Sequence, residues 1–425
     1  MPCRKIVVML LVSTALAQGC GDDGGTSPDT TPPAAVANLA VTGATHNSVQ
    51  LSWTAPGDNG AQGTATEYDI RYSTAAITPA NWDQALECTG EPAPQTSGST
   101  ENFSMSGLDE GTPYFFALKA CDDVPNWSEL SNVASTATSA VTDYVFLTKW
   151  GSSGSDDGQF VNPTDAAVDG SEWVFVADAD NRRIQKFTAD GSYVTKWGSE
   201  GSGDGQFRYL EGIAVDGDGN VYVPDPGNYR VQKFTSDGSF VTSWQQNGSG
   251  VGTLAYPCGI AVGTSENVYV VDWYNSVHEY TLDGASVRQW GSAGTGDGEF
   301  DHPYGIAVDR QGNVYVSDWG NRRIQKFTSG GVFLLKWGSQ GSADGQFNNI
   351  YHIAVGPVGN VYVADGSNNR IQKFAPDGTF MAKWGGYGTA DGQLKSPVGL
   401  CTDGSGNVYV ADSGNDRIQV FAPAP

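Results

Sequence analysis

Short runs in which hydrophobic and polar residues alternate recur throughout residues 144–425 of this chain. Between Phe300 and Trp337 these runs are GIAVD, NVYVSD, RRIQKF and VFLLKW, and each is bounded by Gly, Asn or Asp turn residues. Alternation with a period of two, in β-branched and aromatic residues, is typical of strands rather than helices. The pattern therefore predicts four short β-strands in each unit.

The unit returns at a nearly constant interval. The tryptophan that ends it occurs at Trp150, Trp197, Trp244, Trp290, Trp337 and Trp384. Successive spacings are 47, 47, 46, 47 and 47 residues. This period is typical of propellers and solenoids, whose units bury their hydrophobic faces against neighbouring units. We therefore expect each repeat to form one four-stranded blade, six in all.

The two ends of the array complement each other. The run YVFLTKW, from Tyr144 to Trp150, matches only the fourth strand of the unit, and the last unit ends after its third strand, RIQVF, from Arg417 to Phe421. Pairing these two strands would complete the last blade and leave no exposed sheet edge. The prediction is an all-β fold with a six-bladed propeller over residues 141–425, closed by strand 144–150.

The recurring motifs P-x-G-I-A-V-D, G-N-V-Y-V-A-D, D-x-x-N-x-R-I-Q-x-F and W-G-x-x-G resemble the NHL repeat family. The resemblance covers about two thirds of the chain and implies the propeller fold. It implies no single activity, because similar propellers serve as RNA-binding modules, protein-interaction platforms, extracellular sensor domains and lyases.

The first 19 residues have the pattern of a secretion signal. Arg4 and Lys5 precede the apolar run from Ile6 to Leu16, which is too short to span a membrane as a mature helix. We therefore predict a signal peptide over residues 1–19 and an exported protein.

Cys20 stands where cleavage of that signal is expected and resembles the cysteine of a bacterial lipobox, which implies lipidation. Ala17 and Gln18 depart from the residues that family prefers, so plain secretion is the alternative. Residues 20–33 are rich in Gly, Pro, Asp and Thr, which predicts a flexible tether.

Residues 34–140 have a different pattern. The alternating runs SVQLSW, TEYDIRY and YFFALKACD have the spacing of a β-sandwich. Together with Leu108 they resemble a fibronectin type III domain, which implies Trp53 as the core tryptophan and Tyr114 as the corner tyrosine. The region has two basic residues against twelve acidic ones, which disfavours polyanion binding and favours a spacer.

Four cysteines remain beyond Cys20. Cys88 and Cys121 lie in the sandwich domain, and in an oxidising compartment we expect them to form a disulfide, with free thiols as the alternative. Cys258 and Cys401 lie on first strands of different blades and are expected to be buried thiols. No Cys or Cys/His spacing indicates structural zinc.

The formal net charge of −24 changes the set of plausible partners. Nucleic acids and anionic membrane surfaces bind proteins mainly through Lys and Arg. We therefore expect no nucleic-acid partner, and membrane contact only through the lipid anchor.

Charged residues recur at fixed positions in the repeats. An aspartate ends the second strand and an arginine follows five residues later, which predicts structural ion pairs across a tight turn. These pairs are Asp178 with Arg183, Asp225 with Arg230, Asp318 with Arg323, Asp365 with Arg370, and Asp412 with Arg417. Blade three lacks the arginine, which accounts for its 46-residue period.

Residues that break the repeat are better candidates for function. Asp165 and His352 replace the glycine of P-x-G, Glu211 precedes that glycine in blade two, and His302 precedes Pro303. Two carboxylates and two imidazoles near one channel mouth suit a divalent cation. However, we expect Asp165 and Glu211 to face His352 at long range across the ring, so no cofactor is established.

Aromatic residues also break the repeat, on the face that carries the long loops of blades three to five. They are Tyr256, Trp273, Tyr274, Tyr304, Trp319 and Tyr351, with His302 beside them. Flat aromatic groups next to acidic ones suit sugar rings, peptides or an apolar protein surface. The alternative is that these side chains fold inward and cover the tops of the blades.

The sequence thus favours an exported bacterial binding protein, secreted or anchored to the cell envelope, whose propeller binds an extracellular protein or glycan. One alternative is a metal-dependent lyase or hydrolase at the channel mouth. The absence of G-x-S-x-G and H-E-x-x-H motifs weighs against catalysis. The other alternative is a structural envelope protein without a small ligand. The sequence does not specify an oligomeric state.

Overall fold

The computed structural model describes residues 30–139, 143–245, 253–264 and 266–424. These residues are almost entirely β-strand and turn, as the alternating pattern predicts. Residues 1–19, Cys20 and most of the predicted tether lie outside the described ranges. Within those ranges, no helix is long and apolar enough to cross a membrane.

The N-terminal domain is a sandwich of two antiparallel sheets. The three-stranded sheet contains β1 (Ala40–Ala44), β2 (Ser48–Thr54) and β5 (Thr100–Ser106). The four-stranded sheet has the order β4 (Leu86–Glu87), β3 (Glu67–Ser73), β6 (Pro113–Cys121) and β7 (Ala134–Ala137), and a short 3-10 turn spans Trp82–Gln84. Pro33 forms a bridge with Gly60, so the end of the predicted tether belongs to this domain.

The two residues expected to mark this sandwich occupy their predicted places. Trp53 is buried and packs edge-on against Tyr68, with ring centroids 5.2 Å apart. The hydroxyl of Tyr114 accepts a 3.0 Å hydrogen bond from the backbone N–H of Asp109. This bond ties the strand to the turn before it, as a corner tyrosine does.

The predicted disulfide between Cys88 and Cys121 is wrong, because both are free thiols in the structure. Cys88 lies beside Ile70 at one edge of β3, whereas Cys121 pairs with Glu67 at the other edge. Two strand spacings and three residues along a strand separate them by more than ~10 Å. A disulfide requires Cα atoms within about 7 Å.

The remaining strands form six four-stranded antiparallel sheets, numbered here as blades one to six. Blade one contains β9 (Pro163–Val168), β10 (Val174–Asp178), β11 (Arg183–Phe187) and β12 (Tyr193–Trp197). Blade two contains β13 (Ala214–Val215), β14 (Val221–Asp225), β15 (Arg230–Phe234) and β16 (Phe240–Gln245). Blade three contains β17 (Pro257–Val262), β18 (Asn267–Asp272), β19 (Ser276–Thr281) and β20 (Ser286–Trp290).

Blade four contains β21 (Pro303–Val308), β22 (Val314–Asp318), β23 (Arg323–Phe327) and β24 (Phe333–Trp337). Blade five contains β25 (Ile350–Val355), β26 (Val361–Asp365), β27 (Arg370–Phe374) and β28 (Phe380–Gly385). Blade six contains β29 (Leu400–Thr402), β30 (Val408–Asp412), β31 (Arg417–Pro423) and β8 (Tyr144–Trp150). Short 3-10 turns join the second and third strands in blades two, five and six, at Pro226–Asn228, Gly366–Asn368 and Ser413–Asn415.

The fourth strand of blade six comes from the start of the array. β8 pairs antiparallel with β31, with Trp150 opposite Ile418 and Tyr144 opposite Pro423. The first strand of each blade contacts the first strand of the next, and β29 of blade six contacts β9 of blade one. The first strands of the six sheets line one shared cavity, called here the central channel.

The tryptophan that recurs about every 47 residues packs against the neighbouring blade. Trp150 of blade six packs against Phe187 of blade one, with centroids 5.8 Å apart. Gly191, in the next turn of blade one, has a left-handed φ of 88° and approaches so closely that an added Cβ would lie 2.6 Å from the indole. Equivalent glycine contacts recur at Gly238, Gly284, Gly331 and Gly378. The tryptophan and this turn glycine therefore recur together.

The predicted Asp–Arg pairs form in all five blades that have both residues, at 2.7–3.1 Å. Each arginine also binds the long loop that enters its blade. Arg183, for example, donates to the carbonyl oxygens of Ser155, Asp156 and Gln159. The pair therefore fixes the loop to the sheet within one blade. In blade three Ser276 faces Asp272 in the arginine's place.

Candidate functional site

The candidate residues lie where the first strands begin, at one end of the channel. In blades three, four and five the strand begins at Pro257, Pro303 and Ile350, and each has a register shift before regular pairing resumes. A bulge re-aims side chains and is common beside functional sites. Cys258, Tyr304, Tyr351 and His352 all fall within these bulges. The bulges therefore set the directions of these side chains.

Asp165 and His352 meet across the channel. The distance from Asp165 Oδ2 to His352 Nδ1 is 3.4 Å, so the expectation of a long-range relationship was wrong. Glycines of other blades leave the space for this contact. An added Cβ on Gly399 would lie 2.4 Å from Asp165 Cα, and one on Gly305 would lie 2.6 Å from His352 Cα.

This pair is buried and incompletely hydrogen bonded. Asp165 Oδ2 accepts a 3.1 Å bond from the backbone N–H of Ile213, whereas Asp165 Oδ1 and His352 Nε2 have no partner among the described atoms. Burial raises the pKa of the Asp165 carboxyl well above its ordinary value. Burial also lowers the pKa of His352 to about 4. Both effects favour the uncharged forms, a protonated carboxyl beside a neutral imidazole, over an ion pair.

Glu211 is held by tyrosine hydroxyls. Tyr256 donates a 3.3 Å hydrogen bond to its carboxylate, and Tyr304 donates another. Burial raises the pKa of Glu211, and these hydroxyls oppose the change. The Tyr304 ring in turn packs edge-on against His352, with centroids 5.1 Å apart. Glu211 thus connects the buried pair to the aromatic residues, and both its oxygens are engaged.

The four predicted metal ligands do not assemble into one group. Among the described residues, no set of three or more His, Cys, Asp or Glu side chains is placed to hold a metal ion. His302 Nδ1 lies 2.6 Å from Asp301 Oδ1, and its ring packs 4.7 Å from Trp273. Asp165 and His352 meet, Glu211 binds tyrosines, and His302 contacts the aromatic residues instead.

The aromatic residues do come together. Trp273 lies 5.5 Å from Trp319 and 6.0 Å from Tyr304, and Tyr304 lies 5.3 Å from Tyr351, all measured between ring centroids. We call Trp273, His302, Tyr304, Trp319 and Tyr351 the aromatic cluster. Tyr304 is buried and the other four are half-buried, and Trp273, Trp319 and Tyr351 pack partly on the core. The cluster therefore combines the two expected arrangements: part of it covers the tops of the blades, and part of it is accessible to a ligand.

Tyr274 stands apart from this cluster. Its side chain is 63% exposed at the turn after β18, and its backbone N–H bonds to Asp272. Tyr256 faces Glu211 rather than the surface. Tyr274 is therefore the most exposed of the predicted aromatic residues.

Sequence reasoning missed Arg322, whose guanidinium carbon lies 4.4 Å above the Trp319 ring. The same arrangement occurs in blade one, where Arg182 lies 4.9 Å above Tyr209. The signal was the doubled arginine of N-R-R, which these two blades have in place of N-Y-R, N-N-R or N-D-R. The second arginine forms the ion pair, and the first covers a neighbouring aromatic ring.

The channel behind this site is apolar. It encloses about 220 Å³ and is lined by Ala, Val and Ile residues from the first strands of blades one to five, with Leu400, Cys401 and Thr402 from blade six. Asp165 and His352 are the ionisable side chains on its described wall, apart from the Cys401 thiol. A molecule entering the channel would therefore meet polar groups at one end.

Comparison with family models identifies both parts of the chain. Residues 32–136 match the fibronectin type III domain model, and residues 300–327 and 394–421 match the NHL repeat model. The chain therefore contains a fibronectin type III domain and NHL repeats. The matched NHL segments lie in blades four and six and contain three strands each.

Relatives of known function match only part of this chain. Calcium-activated chloride channel regulator 1 of Macaca mulatta is 34% identical over 113 residues, which cover 25% of this chain and 12% of that protein. Chitinase A1 of Niallia circulans is 36% identical over 122 residues, which cover 29% of this chain and 14% of the chitinase. The chain thus spans a small fraction of these relatives, and their activities do not transfer with the match.

Two solved structures of similar architecture are lyases. A streptogramin B lyase has a TM-score of 0.46 and 14% identity, covering 73% of this chain and 90% of the lyase. The virginiamycin B lyase of Staphylococcus aureus has a TM-score of 0.45 and 12% identity, covering 84% of this chain and 99% of that lyase. Values this low support no inference about activity.

Proposed function

We propose that this chain is an exported bacterial binding protein whose propeller holds an extracellular protein or glycan on the aromatic face of blades three and four. In this proposal the six sheets form one closed six-bladed propeller over residues 141–425. Pairing of β8 with β31, and contact between β29 and β9, support closure. The fibronectin type III domain and the sequence pattern of residues 1–19 support export.

The observation that carries the proposal is the pairing of Trp273 with Trp319, 5.5 Å apart and half-buried, beside the exposed Tyr274. Tryptophan is enriched among the residues that dominate binding energy, especially where a rigid side chain has one face exposed. Tyr304 packs edge-on against Trp273, and the Arg322 guanidinium lies over the Trp319 ring. The two tryptophans therefore form a preorganised apolar platform.

The charge of the protein restricts the class of ligand that this platform could bind. The net charge of −24 disfavours a polyanion, whereas a neutral glycan or a protein with a basic or apolar surface meets no such repulsion. Asp301, half-buried next to His302, offers a hydrogen-bond acceptor at the edge of the cluster. An apolar platform with a carboxylate at its rim suits a sugar ring as well as a protein side chain.

The alternative of a metal-dependent lyase or hydrolase at the channel mouth would use the predicted ligands Asp165, Glu211, His302 and His352. It is less favoured because both Glu211 oxygens are bonded to tyrosines. A structural envelope role without a small ligand remains the second alternative, and it is tested by the same binding experiment.

The binding test compares two variants of the full chain. Trp273→Ala with Trp319→Ala removes the platform, and Tyr387→Ala removes an exposed tyrosine from the loop before blade six as a matched control. Ligands are first found with the wild type on a glycan array and by cross-linking to extracellular proteins. The double variant should lose roughly 30-fold or more in affinity, whereas the control should bind normally. Unchanged binding of every ligand by the double variant would refute the site.

The anchoring part of the proposal is tested separately. Cys20→Ser should move the protein from the membrane fraction to the soluble fraction, because two acyl chains hold a protein on a bilayer far more strongly than any contact expected from an acidic domain. Equal distribution of the two forms would favour plain secretion.

A further inference from the structure

In several blades, the turn between the first and second strands has an aspartate that accepts several hydrogen bonds from the same blade. In blade two, Asp216 accepts hydrogen bonds from Asn220 Nδ2 at 2.8 Å and from Tyr222 OH at 2.9 Å, and Lys233 Nζ lies 4.0 Å away. Blade four repeats the arrangement with Asp309, Asn313, Tyr315 and Lys326. Blade six keeps the carboxylate, asparagine and tyrosine as Asp403, Asn407 and Tyr409. One carboxylate thus satisfies several donors of its own blade.

Blade five has lost this carboxylate but kept its partners. Gly356 stands in the aspartate position, while Asn360, Tyr362 and Lys373 remain. The side chain of Lys373 is 0% exposed. A buried ammonium group without a counterion is strongly destabilising. Blade five therefore requires a carboxylate from outside the blade.

Glu110 of the fibronectin type III domain supplies it. Lys373 Nζ and Asn360 Nδ2 both donate to Glu110 Oε1, so the glutamate takes the aspartate's place towards the lysine and the asparagine. Its side chain is only 6% exposed. Glu110 follows Asp109, whose N–H is fixed by the corner Tyr114, so the sandwich presents the glutamate from an ordered turn.

Blade three shows that this arrangement is specific. It also has glycine, Gly263, in the aspartate position, but Glu279 replaces the third-strand lysine. Glu279 accepts from Asn267 Nδ2 and pairs with Arg288, both at 2.5 Å. Blade three thus compensates for the missing aspartate with its own residues. Blade five does so with a residue of another domain.

We propose that Gly356 creates a carboxylate socket in blade five, formed by Asn360, Tyr362 and Lys373, and that Glu110 docks in it to join the two domains into one body. The fibronectin type III domain then orients the propeller and is not a freely jointed spacer. Tyr144 of β8 borders the socket within the propeller, because its hydroxyl lies 2.7 Å from the Tyr362 hydroxyl and its ring stacks on Trp384.

The short connection between the domains favours docking within one chain. Six residues separate the end of β7 at Ala137 from the start of β8 at Tyr144. A short connection keeps the effective concentration of Glu110 at its socket high. The wall beside the socket includes His46 and Leu108 of the sandwich and Pro357 of blade five, around a small cavity of about 60 Å³.

The test uses the full chain with Glu110→Ala, and with Glu129→Ala as a control that removes an exposed carboxylate of the same domain. Small-angle scattering measures the maximum dimension, and limited proteolysis measures cleavage between residues 138 and 143. Glu110→Ala should increase both and lower the melting temperature of the propeller by about 5 °C or more. Glu129→Ala should change none of them.

Restoring the aspartate separates docking from general damage. In the double variant Glu110→Ala with Gly356→Asp, the blade has its own carboxylate, so the melting temperature should return while the enlarged dimension persists. Should Gly356→Asp fail to fold, Lys373→Met with Glu110→Ala removes the buried charge and should likewise recover stability. Unchanged dimension and stability in Glu110→Ala would overturn the proposal. So would concentration-dependent dimers of the wild type that dissociate on Glu110→Ala, because the occupant would then be a second copy.

Discussion

The Asp165 carboxylate lies 3.4 Å from the His352 imidazole, although the two residues belong to blades one and five. Their contact is made at one end of the channel, where the other four blades have glycine at the equivalent position. A buried acid and a buried base with one unpartnered atom each are unusual in a region that is otherwise structural. This pair has consequences for stability that can be measured.

His352 should make the protein sensitive to acid. Its pKa is about 4 in the folded protein, below its ordinary value of 6.5, because burial disfavours the imidazolium. As the pH is lowered, the imidazole is therefore protonated at a higher pH in the unfolded chain than in the folded protein. The free energy of unfolding falls as the pH decreases from about 6.5 towards 4. Between pH 7.5 and 4.5 the wild type should lose about 2 kcal/mol more than His352→Asn, as measured by urea unfolding.

The control for this experiment is His302→Asn, which changes a half-exposed imidazole and should retain the acid sensitivity of the wild type. Asp165 acts in the opposite direction, since burial raises the pKa of its carboxyl and favours the folded state at low pH. That contribution is present in the wild type and in both variants. Identical pH profiles for the wild type and His352→Asn would show that His352 is solvated.

Removing the arginine of one ion pair should destabilise its blade strongly. In Arg323→Leu the Asp318 carboxylate, which is 0% exposed, loses its counterion and the loop carbonyl oxygens lose their donor. The expected loss is about 3 kcal/mol in the free energy of unfolding. Lys336→Ala removes an exposed pair with Asp297 at 2.6 Å and should cost less than about 1 kcal/mol. Equal costs in urea titrations would contradict a structural role for the buried pair.

The glycine beneath the period tryptophan should be intolerant of substitution. An added Cβ at Gly331 would lie 2.7 Å from the Trp290 ring, and its φ of 79° is unfavourable for alanine. Gly345 has nearly the same φ, 76°, but no atom within 4 Å of the added Cβ. Gly345→Ala should therefore cost about 1 kcal/mol, from backbone conformation alone. Gly331→Ala should cost roughly 1–3 kcal/mol more by thermal unfolding, and a smaller difference would mean that the tryptophan can move.

The cysteines of the sandwich should behave as free thiols. Alkylation in denaturant without reductant should modify both Cys88 and Cys121, as seen by mass spectrometry. In the native protein Cys88 should react slowly, because burial raises the pKa of its thiol to about 12 and the sulfur packs against Met105. Detection of a Cys88–Cys121 peptide pair in the unreduced protein would contradict the structure.

Much of the fold could be predicted because the sequence patterns that specify its strands and turns are local and recur in each repeat. The alternation in GIAVD and NVYVSD predicts strands, and the Asp–Arg spacing of five residues spans one turn, so Asp318 and Arg323 meet regardless of what lies beyond the blade. The complementary ends at Tyr144 and Arg417 indicated which strands would pair. The aromatic residues could be assigned to one face because each turn has a known position in the repeat.

The relationships that the sequence could not predict join distant parts of the chain. Asp165 and His352 meet only because the ring is narrow where glycines replace side chains, and no local pattern encodes the diameter of a ring. Cys88 and Cys121 lie on opposite sides of β3. Their presence in one domain did not indicate this separation. Glu110 reaches Lys373 because one sandwich corner is docked on one blade, and no pattern within blade five indicates which residue replaces the carboxylate missing at Gly356. Strand and turn chemistry act between neighbours, whereas channel and interdomain contacts depend on how complete blades and domains pack.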